Sequence, residues 1–321
     1  MAHSIKKCYI GNSSDPNIQY KASSGGIGTE IIKYLLENKV YQTAVSFYFC
    51  SEECCYKPRL IYTFDDYNVC GSIYQDIDLV GFIRQNIGLI KHNIIITCLP
   101  CQVKPIRSIL KRNDISCVFI TFTCSGQTTI DGTYCYYKML KIKKQDVIYM
   151  QYRGNGWPSG IQIHMKNGDI VFHENYTFPW SFIIKSELFK PKRCFLCKLD
   201  TDYTADFSLA DPWLKEYLKE DKIGHSFVIV NTEQGDVILS KMKKLGLVSL
   251  QDVDYNKYIE AQVHNVSKKD RVEKLYNLIK IKRNVLNSKL YKKFFSINSV
   301  FIKIHISIWN KIFYKFSSKS I

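Results

Sequence analysis

Two consecutive segments of the chain share the order of buried strand, short loop and helix, and this repeat constrains the fold more than any other feature. The first strand, residues 92–97, is the run His-Asn-Ile-Ile-Ile-Thr, and a helical pattern over 103–111 follows it. The second strand, residues 116–123, precedes a helical stretch from about 129 to 144. Short β-branched runs of this kind are typical of buried strands. We therefore predict an α/β fold with a mixed, largely parallel sheet and flanking helices.

Other segments extend this sheet on both sides. Residues 27–38 predict a helix and 43–49 a strand, while 205–210 and 226–230 predict further strands before a helix over 235–245. Asn167-Gly168 lies between two alternating segments, 160–165 and 169–173. Asn-Gly is a strong hairpin signal, so we expect an added β-hairpin here.

The basic charge of the chain is concentrated at its C-terminal end. The net charge is +16, of which residues 267–321 contribute +12 and the remainder only +4. A nucleic-acid groove would need a basic face on the fold itself, so we expect no nucleic-acid partner. We predict two units, a catalytic body over residues 1–265 and a basic amphipathic helical tail over residues 266–321.

The tail alternates basic and apolar residues at helical spacing. Its predicted apolar face consists of Phe301, Ile304, Ile308, Ile312 and Phe316, with three lysines nearby, Lys303, Lys311 and Lys315. A basic helix with such a face is typical of proteins that bind an anionic membrane surface. The alternative is a helix packed on its own body or on a partner.

Two observations bear on localisation. Residues 1–20 contain no apolar run of the kind found in a secretory signal. No stretch of about 18 uninterrupted apolar residues occurs, as a spanning helix would require. We therefore expect a cytoplasmic protein, peripheral at the inner face of the cell membrane if the tail binds there.

Cysteine is abundant, with 12 residues, and in a reducing compartment metal ligation is a more common use than disulfides. Cys194 and Cys197 form a CxxC motif, and Cys101 and Cys124 follow the two predicted strands of the repeat. Carboxyl ends of parallel strands meet at one edge of a sheet, where ligands bind. These four thiols would suit a 4Fe–4S cluster or a structural zinc ion. The alternative is that they are unrelated buried thiols.

Small residues at a helix start suggest a phosphate site. Ser23, Ser24, Gly25 and Gly26 precede the predicted helix over 27–38, and they offer hydroxyls and unhindered backbone N–H groups at the positive end of the helix dipole. Ordinary helix capping explains the same residues. A second turn of small residues, Gly71 and Ser72 followed by Tyr74, could add a phosphate contact and an aromatic ring for stacking.

Three charged residues near predicted loops are further candidates. Arg153 begins a glycine-rich loop that also holds Trp157, and its guanidinium suits phosphate or carboxylate. A hairpin connection with a packed tryptophan is the alternative. Asp206 and Asp211 flank a short strand and could position a cofactor or cation, although aspartate before Pro212 is also a common turn former. The seven histidines show no ligand spacing.

Taken in order, these motifs resemble the coenzyme F420 hydrogenase/dehydrogenase beta subunit family. The resemblance covers about residues 5 to 250 and depends on the order and spacing of several short motifs. They are Ala22-Ser-Ser-Gly-Gly26, Gly71-Ser-Ile-Tyr74, Leu99-Pro-Cys-Gln-Val103, Cys124-Ser-Gly126, Arg153 with Gly156-Trp-Pro158, Arg193-Cys-Phe-Leu-Cys197, Ala205-Asp-Phe-Ser-Leu-Ala-Asp211 and Val230-Asn-Thr-Glu-Gln-Gly235.

The resemblance implies a flavin-dependent iron–sulfur oxidoreductase. It implies one 4Fe–4S cluster on Cys101, Cys124, Cys194 and Cys197, and it implies FAD with its pyrophosphate at the helix start, residues 23–26. Arg153 would contact the phosphate of the cofactor or substrate. Electrons would come from an external donor, such as ferredoxin or reduced deazaflavin, and pass through the cluster and FAD to an organic acceptor.

The chain departs from the family pattern in three places. It lacks the ferredoxin-like run of CxxCxxC motifs that many relatives carry, and Cys98 and Ala210 stand where relatives usually have glycine. Relatives include surface-polysaccharide biosynthesis proteins, and a tail at a membrane would suit a lipid-linked sugar as acceptor. The rival hypothesis is a non-catalytic scaffold, held together by zinc on the four cysteines and docked at a membrane or a glycan-assembly partner.

Overall fold

The structure, a computed structural model, describes residues 7–317. Its strands are β1 Lys7–Ser13, β2 Ala44–Cys50, β3 Cys55–Ile61, β4 Asn93–Cys98, β5 Ser116–Phe122, β6 Val147–Gln151, β7 Gly160–Met165, β8 Ile170–Glu174, β9 Phe207–Ala210, β10 Ser226–Val230 and β11 Val248–Val253. Its helices are α1 Pro16–Lys21, α2 Ile27–Glu37, α3 Leu79–Gln85, α4 Pro100–Lys111, α5 Ile130–Met139, α6 Trp180–Ser186, α7 Lys215–Glu220, α8 Glu233–Lys244, α9 Tyr255–Ala261, α10 Val263–Val266, α11 Lys268–Lys274, α12 Tyr276–Leu286, α13 Lys289–Phe295 and α14 Ser299–Ser317.

The main sheet has eight strands in the order β11-β1-β10-β9-β5-β4-β2-β3. Its centre is parallel, because β9, β5, β4 and β2 all run in one direction. Antiparallel strands extend both sides: β3 pairs with β2, and β10, β1 and β11 continue from β9. The predicted mixed α/β fold is confirmed.

The central strands are apolar on both faces, which explains why helices cover the sheet on both sides. Ile94, Ile95 and Ile96 of β4 are fully buried; Ile95 faces one apolar cluster, and its two neighbours face another. Helices α2 and α8 close the first cluster, while α3 and α4 close the second. The alternation along β4 thus produces three layers, with the sheet in the middle.

A second, three-stranded sheet has the order β6-β7-β8 and contains the predicted hairpin, in which β7 pairs antiparallel with β8. Its inner face packs on α5 and α6 around the fully buried Trp180 and Tyr136. The same cluster includes four tail residues, Val272, Ile279, Leu286 and Ile302. The tail helices therefore share a core with the rest of the protein.

The predicted helix in the tail is confirmed as α14, but the side that it buries is not the predicted apolar face. Ile302, His305 and Trp309 are buried, whereas Ile304 and Ile308 of the predicted apolar face are exposed. The side chain of Phe316 lies outside the described residues. None of the helices described between residues 7 and 317 combines the length and apolarity needed to cross a membrane.

Helix boundaries differ from the predictions where capping decides them. Helix α4 begins at Pro100 and not at residue 103, because the Gln102 side chain accepts a hydrogen bond from the Leu99 N–H at 3.0 Å and proline suits the first helical turn. Helix α5 ends at Met139 and not near residue 144, because Lys141 adopts a left-handed conformation with φ of 59°.

Candidate functional site

A cavity of about 330 Å³ opens at the carboxyl edge of the parallel strands. The loops that follow β4, β5 and β9 line it, together with the start of α2 and the segment before α3. This is where open α/β sheets usually bind their ligands. Of the residues predicted to bind a cofactor or metal, those lining the cavity are Ser23, Ser24, Gly26, Gly71, Ser72, Tyr74, Cys124 and Arg153.

The predicted phosphate site is a helix start that no side chain caps. Gly26 is the N-cap of α2, with a left-handed φ of 78°, and makes no side-chain capping hydrogen bond. The Ser24 hydroxyl donates to the His225 carbonyl, and the Gly25 N–H donates to Ser226 Oγ at 2.9 Å. Ser24 and Gly25 therefore hold the loop against β10, while the first residues of the eleven-residue helix α2 line the cavity.

The second turn of small residues packs directly on the first. The Ser72 N–H donates to Ser23 Oγ, which joins the two turns. Gly71 has a φ of 66°, and a Cβ there would lie 1.9 Å from the Arg153 carbonyl oxygen. Tyr74 turns its ring into the cavity wall, 6.3 Å from the Trp180 ring and nearly parallel to it. The sequence suggested that the second turn adds a contact to the same phosphate site, and in the structure the two turns are in contact.

Arg153 lies at the cavity but uses most of its donors within the protein. Its guanidinium makes two hydrogen bonds to Asp211, at 2.8 and 2.9 Å, and a third to the Ser23 carbonyl at 2.7 Å. Asp211 also accepts from Trp157 Nε1 at 2.9 Å. The arginine is 3% exposed, so this ion pair is shielded from water. Arg153 and Asp211 thus tie the glycine-rich loop to the carboxyl end of β9.

Three polar atoms at the cavity are buried without a hydrogen-bond partner among residues 7–317. They are Thr97 Oγ1, Gln127 Oε1 and Arg153 Nε. Leaving a buried donor or acceptor unpaired costs about 1–3 kcal/mol, so such atoms are rare unless a ligand or water satisfies them. The cavity therefore fits a polar ligand, and the uncapped start of α2 fits an anionic group such as the pyrophosphate of FAD.

The four cysteines of the predicted tetrad lie on three separate segments of the chain at this edge. Cys101 lies in the first turn of α4 and is exposed, Cys124 lies just after β5, and Cys194 and Cys197 are half-buried between α6 and β9. The Cys124 N–H donates to the Asp200 carbonyl at 2.8 Å, which joins two of these segments.

The pKa values of two of these thiols respond to other members of the tetrad. Burial raises the pKa of the Cys101 thiol; Cys194 and Cys197 add to this increase, and Arg193 opposes it. Burial also raises the pKa of Cys124, to about 11, with Cys194 and Cys101 adding to the increase. Four thiols fit either a 4Fe–4S cluster or zinc. Within the described part of the chain, no three His, Cys, Asp or Glu side chains have the spacing of a metal site.

A lysine that was not among the predicted site residues also lies here. Lys268, the first residue of α11, is 5% exposed, and its ammonium donates to the carbonyls of Cys124 and, at 2.6 Å, of Leu199. It lowers the pKa of the Cys124 thiol. No local pattern marks Lys268 among the many lysines of the tail, because its role depends on where α11 packs.

Two other candidates have structural roles. The Asp206 carboxylate accepts from the Phe119 N–H at 2.8 Å and from the Thr232 hydroxyl at 2.6 Å, so it joins β5, β9 and the start of α8. Cys98 is buried at the end of β4 and lines the cavity, and burial raises the pKa of its thiol.

Comparisons with known proteins agree with this architecture. Residues 8–83 match the model for the N-terminal part, and residues 91–256 the model for the C-terminal part, of the coenzyme F420 hydrogenase/dehydrogenase beta subunit. The coenzyme F420 hydrogenase subunit beta of Methanococcus voltae is 24% identical over 254 residues, covering 78% of this chain and 85% of that protein.

A solved structure shares the fold. A chain of the F420-reducing [NiFe] hydrogenase complex from Methanosarcina barkeri aligns with a TM-score of 0.64 at 16% identity, over 86% of this chain and 94% of that one. The two family models together span most of the chain and include every residue of the cavity edge up to α9. The chain belongs to the coenzyme F420 hydrogenase/dehydrogenase beta subunit family.

Proposed function

We propose that this protein is an iron–sulfur flavoprotein oxidoreductase. Family membership suggests an oxidoreductase role, since the relatives are subunits of F420-reducing hydrogenases. In the finer proposal, the protein takes single electrons from an external donor, such as ferredoxin or reduced deazaflavin. A 4Fe–4S cluster and FAD supply the chemistry that combines two electrons and a proton into a hydride for an organic acceptor.

The proposal depends on one observation about Cys124. This residue belongs to the predicted cysteine tetrad and also lines the cavity, where buried polar atoms lack hydrogen-bond partners among the described residues. Cys194 and Cys101 contribute to the raised pKa of its thiol. A redox pair would need this adjacency, because electrons must pass directly between the two groups. Cys101 is exposed, which leaves one side of the tetrad open to a donor protein.

The residues present divide the work of binding between them. The start of α2 and the turn at Gly71 and Ser72 would hold the pyrophosphate of FAD, while Tyr74 offers a ring beside it. Thr97 Oγ1 and Gln127 Oε1 would satisfy their hydrogen bonds on the ligand. Arg153 acts chiefly by holding Asp211 and the Ser23 carbonyl, which fixes the shape of the wall.

The acceptor is an organic molecule, and a sugar of surface-polysaccharide biosynthesis is our hypothesis for it. The rival function is a zinc-stabilised scaffold without catalysis. Its support is the donor set, because four thiolates bind structural zinc as readily as an iron–sulfur cluster.

Anaerobic purification followed by iron, sulfide, zinc and flavin analysis tests the proposal. We expect about four iron atoms per chain, together with bound FAD. Cys197→Ser should lose the iron, while Cys50→Ser, a change at another half-buried cysteine at the end of β2, should keep it. Zinc near one per chain without flavin would replace the proposal with the scaffold. Full iron content in the Cys197→Ser protein would show that the ligand assignment is wrong.

A further inference from the structure

The outer side of the two last helices carries an exposed stripe that the proposed redox site does not use. Val300, Ile304 and Ile308 of α14 follow one another at a spacing of four residues and are 59, 46 and 42% exposed. Lys311 continues the same helical stripe and is exposed as well. On α13 and the loop after it, Leu290, Phe294 and Ile297 add exposed apolar surface, and Leu290 reaches 80%.

The opposite side of α14 is fixed to the protein, so the stripe cannot turn inward. Ile302 and His305 are fully buried, and His305 Nε2 donates to the Ser186 carbonyl at the end of α6 at 2.8 Å. The Tyr291 ring of α13 packs against His305, with 5.7 Å between the ring centres. The two helices thus form a fixed hairpin with an outward apolar face.

The charged side chains of α13, α14 and the loop between them all have one sign, although Asp131 of α5 lies close enough to affect Lys292 of α13. Residues 288–317 contain six lysines and no aspartate or glutamate. Apolar side chains among lysines, with no acidic residue, complement a surface that is apolar inside and negatively charged outside. A bilayer of anionic lipids has that order, and long lysine side chains can reach its headgroups while the neighbouring apolar groups enter the acyl boundary.

We propose that α13 and α14 dock this protein on an anionic lipid surface, through the stripe Val300, Ile304 and Ile308 and the lysines around it. The helices lie on the bilayer and do not cross it, because their inner sides remain packed on the protein. This surface is separate from the cavity and the cysteines, so the proposal stands or fails independently of the redox function.

Co-sedimentation of the full chain with vesicles tests the docking. We expect the protein to bind vesicles of equal parts phosphatidylglycerol and phosphatidylcholine, and to remain free with phosphatidylcholine alone. Binding should fall in about 1 M salt, where the Debye length is only about 3 Å. Lys293→Gln with Lys311→Gln should weaken binding about 25-fold, at about fivefold for each lysine near the surface.

Ile304→Asp with Ile308→Asp should remove binding, while the thermal unfolding midpoint stays close to that of the parent because both side chains are exposed. Matched controls lie on α8 and at its C-cap, Leu245. They are Lys241→Gln with Lys244→Gln for charge, and Val237→Asp with Leu245→Asp for apolar surface of similar exposure. These controls should bind like the parent.

Three outcomes would overturn the proposal. Equal binding to both kinds of vesicle would remove the role of the lysines. Equal loss in the α8 controls would show that the effect is not specific to the stripe. A change from dimer to monomer in the Ile304→Asp, Ile308→Asp protein, without vesicle binding by the parent, would identify the stripe as a contact between two copies of this chain.

Discussion

Polar groups are buried both at the cavity edge and at the junction with the tail, the region where Lys268 and Lys282 pack on the rest of the protein. The two regions differ in whether these groups have partners. At the junction, Lys268 donates to two carbonyls, and Lys282 of α12 lies 2.6 Å from Glu187 at the end of α6. At the cavity, Thr97 Oγ1 and Gln127 Oε1 lack partners within the described residues. An unpaired buried group costs about 1–3 kcal/mol. Lys268 and Lys282 therefore help to hold the tail on the rest of the protein, whereas the two unpaired atoms at the cavity are available to a ligand.

The junction also keeps its charges under neutral conditions. Although burial acts to raise it, the ammonium groups of Lys190 and Lys282 lower the pKa of Glu187 to about 2. The carboxylate is therefore ionised at neutral pH and pairs with both lysines. The lysines of the tail therefore differ in role: Lys268 and Lys282 are buried and anchor the tail, whereas Lys293 and Lys311 are exposed on the helices that carry the outer stripe.

Removing the tail after residue 266 should cause the largest loss of stability, because the whole junction is lost while the cavity residues remain. The shortened chain loses Val272, Ile279, Leu286 and Ile302 from a shared core, which at about 1.5 kcal/mol for each side chain amounts to about 6 kcal/mol or more. We expect a protein that is unfolded or aggregated, as measured by far-UV circular dichroism and size-exclusion chromatography. A shortened chain that unfolds in one cooperative step near the parent's midpoint would instead support residues 1–265 as an independent domain.

Lys268→Met should cause an intermediate loss of stability. Lys268 belongs to the tail but donates to the carbonyl of Cys124, which lines the cavity. Methionine keeps the apolar stem but leaves the Cys124 and Leu199 carbonyls without their donor, so we expect a loss of about 2–4 kcal/mol in the free energy of unfolding. Urea unfolding measures it, with Lys269→Met, the exposed neighbour, as the control. Equal stability of the two variants would show that the tail's first helix does not support the cysteine loops.

Thr97→Val should cause the smallest change in stability, and the change should be a gain. In the flavin-free protein it removes an unpaired hydroxyl from a buried site, so we expect a gain of about 1 kcal/mol, and the same change should weaken FAD binding. Thr121→Val is the control, because the Thr121 hydroxyl donates to the Cys98 carbonyl at 3.0 Å and its loss should destabilise. Destabilisation by both changes would mean that the Thr97 hydroxyl is already satisfied without a ligand.

Local patterns in the sequence predicted much of the sheet. The run His92 to Thr97 corresponds to β4 and the run Ser116 to Thr123 to β5, because buried parallel strands need continuous apolar residues. The hairpin at Asn167-Gly168 was predicted from its turn chemistry. Helix ends were less accurate, since the cap formed by Gln102 and the left-handed Lys141 are set by single residues.

The candidate site was predictable in part. The two strand ends placed Cys101 and Cys124 at one edge, the CxxC motif added Cys194 and Cys197, and small residues marked the turns at 23–26 and 71–74. The family resemblance then favoured an iron–sulfur cluster and FAD for these residues. That the four cysteines hold a cluster and the two turns hold FAD stays a prediction. The hydrogen bonds of Arg153 could not be inferred, because its partner Asp211 lies 58 residues further along the chain.

The sequence alone determined the central strands, the hairpin and several helices, where the basic charge lies, and which family the motifs resemble, because each of these depends on residues close together in the chain. Only the tertiary structure decided that Lys268 joins the cysteine loops, that Ile302, His305 and Trp309 face inward, and that Ile304 and Ile308 face solvent. A helix with apolar residues on more than one side has several ways to pack. Which side is buried depends on what the rest of the chain presents to it, and here α6 supplies that surface.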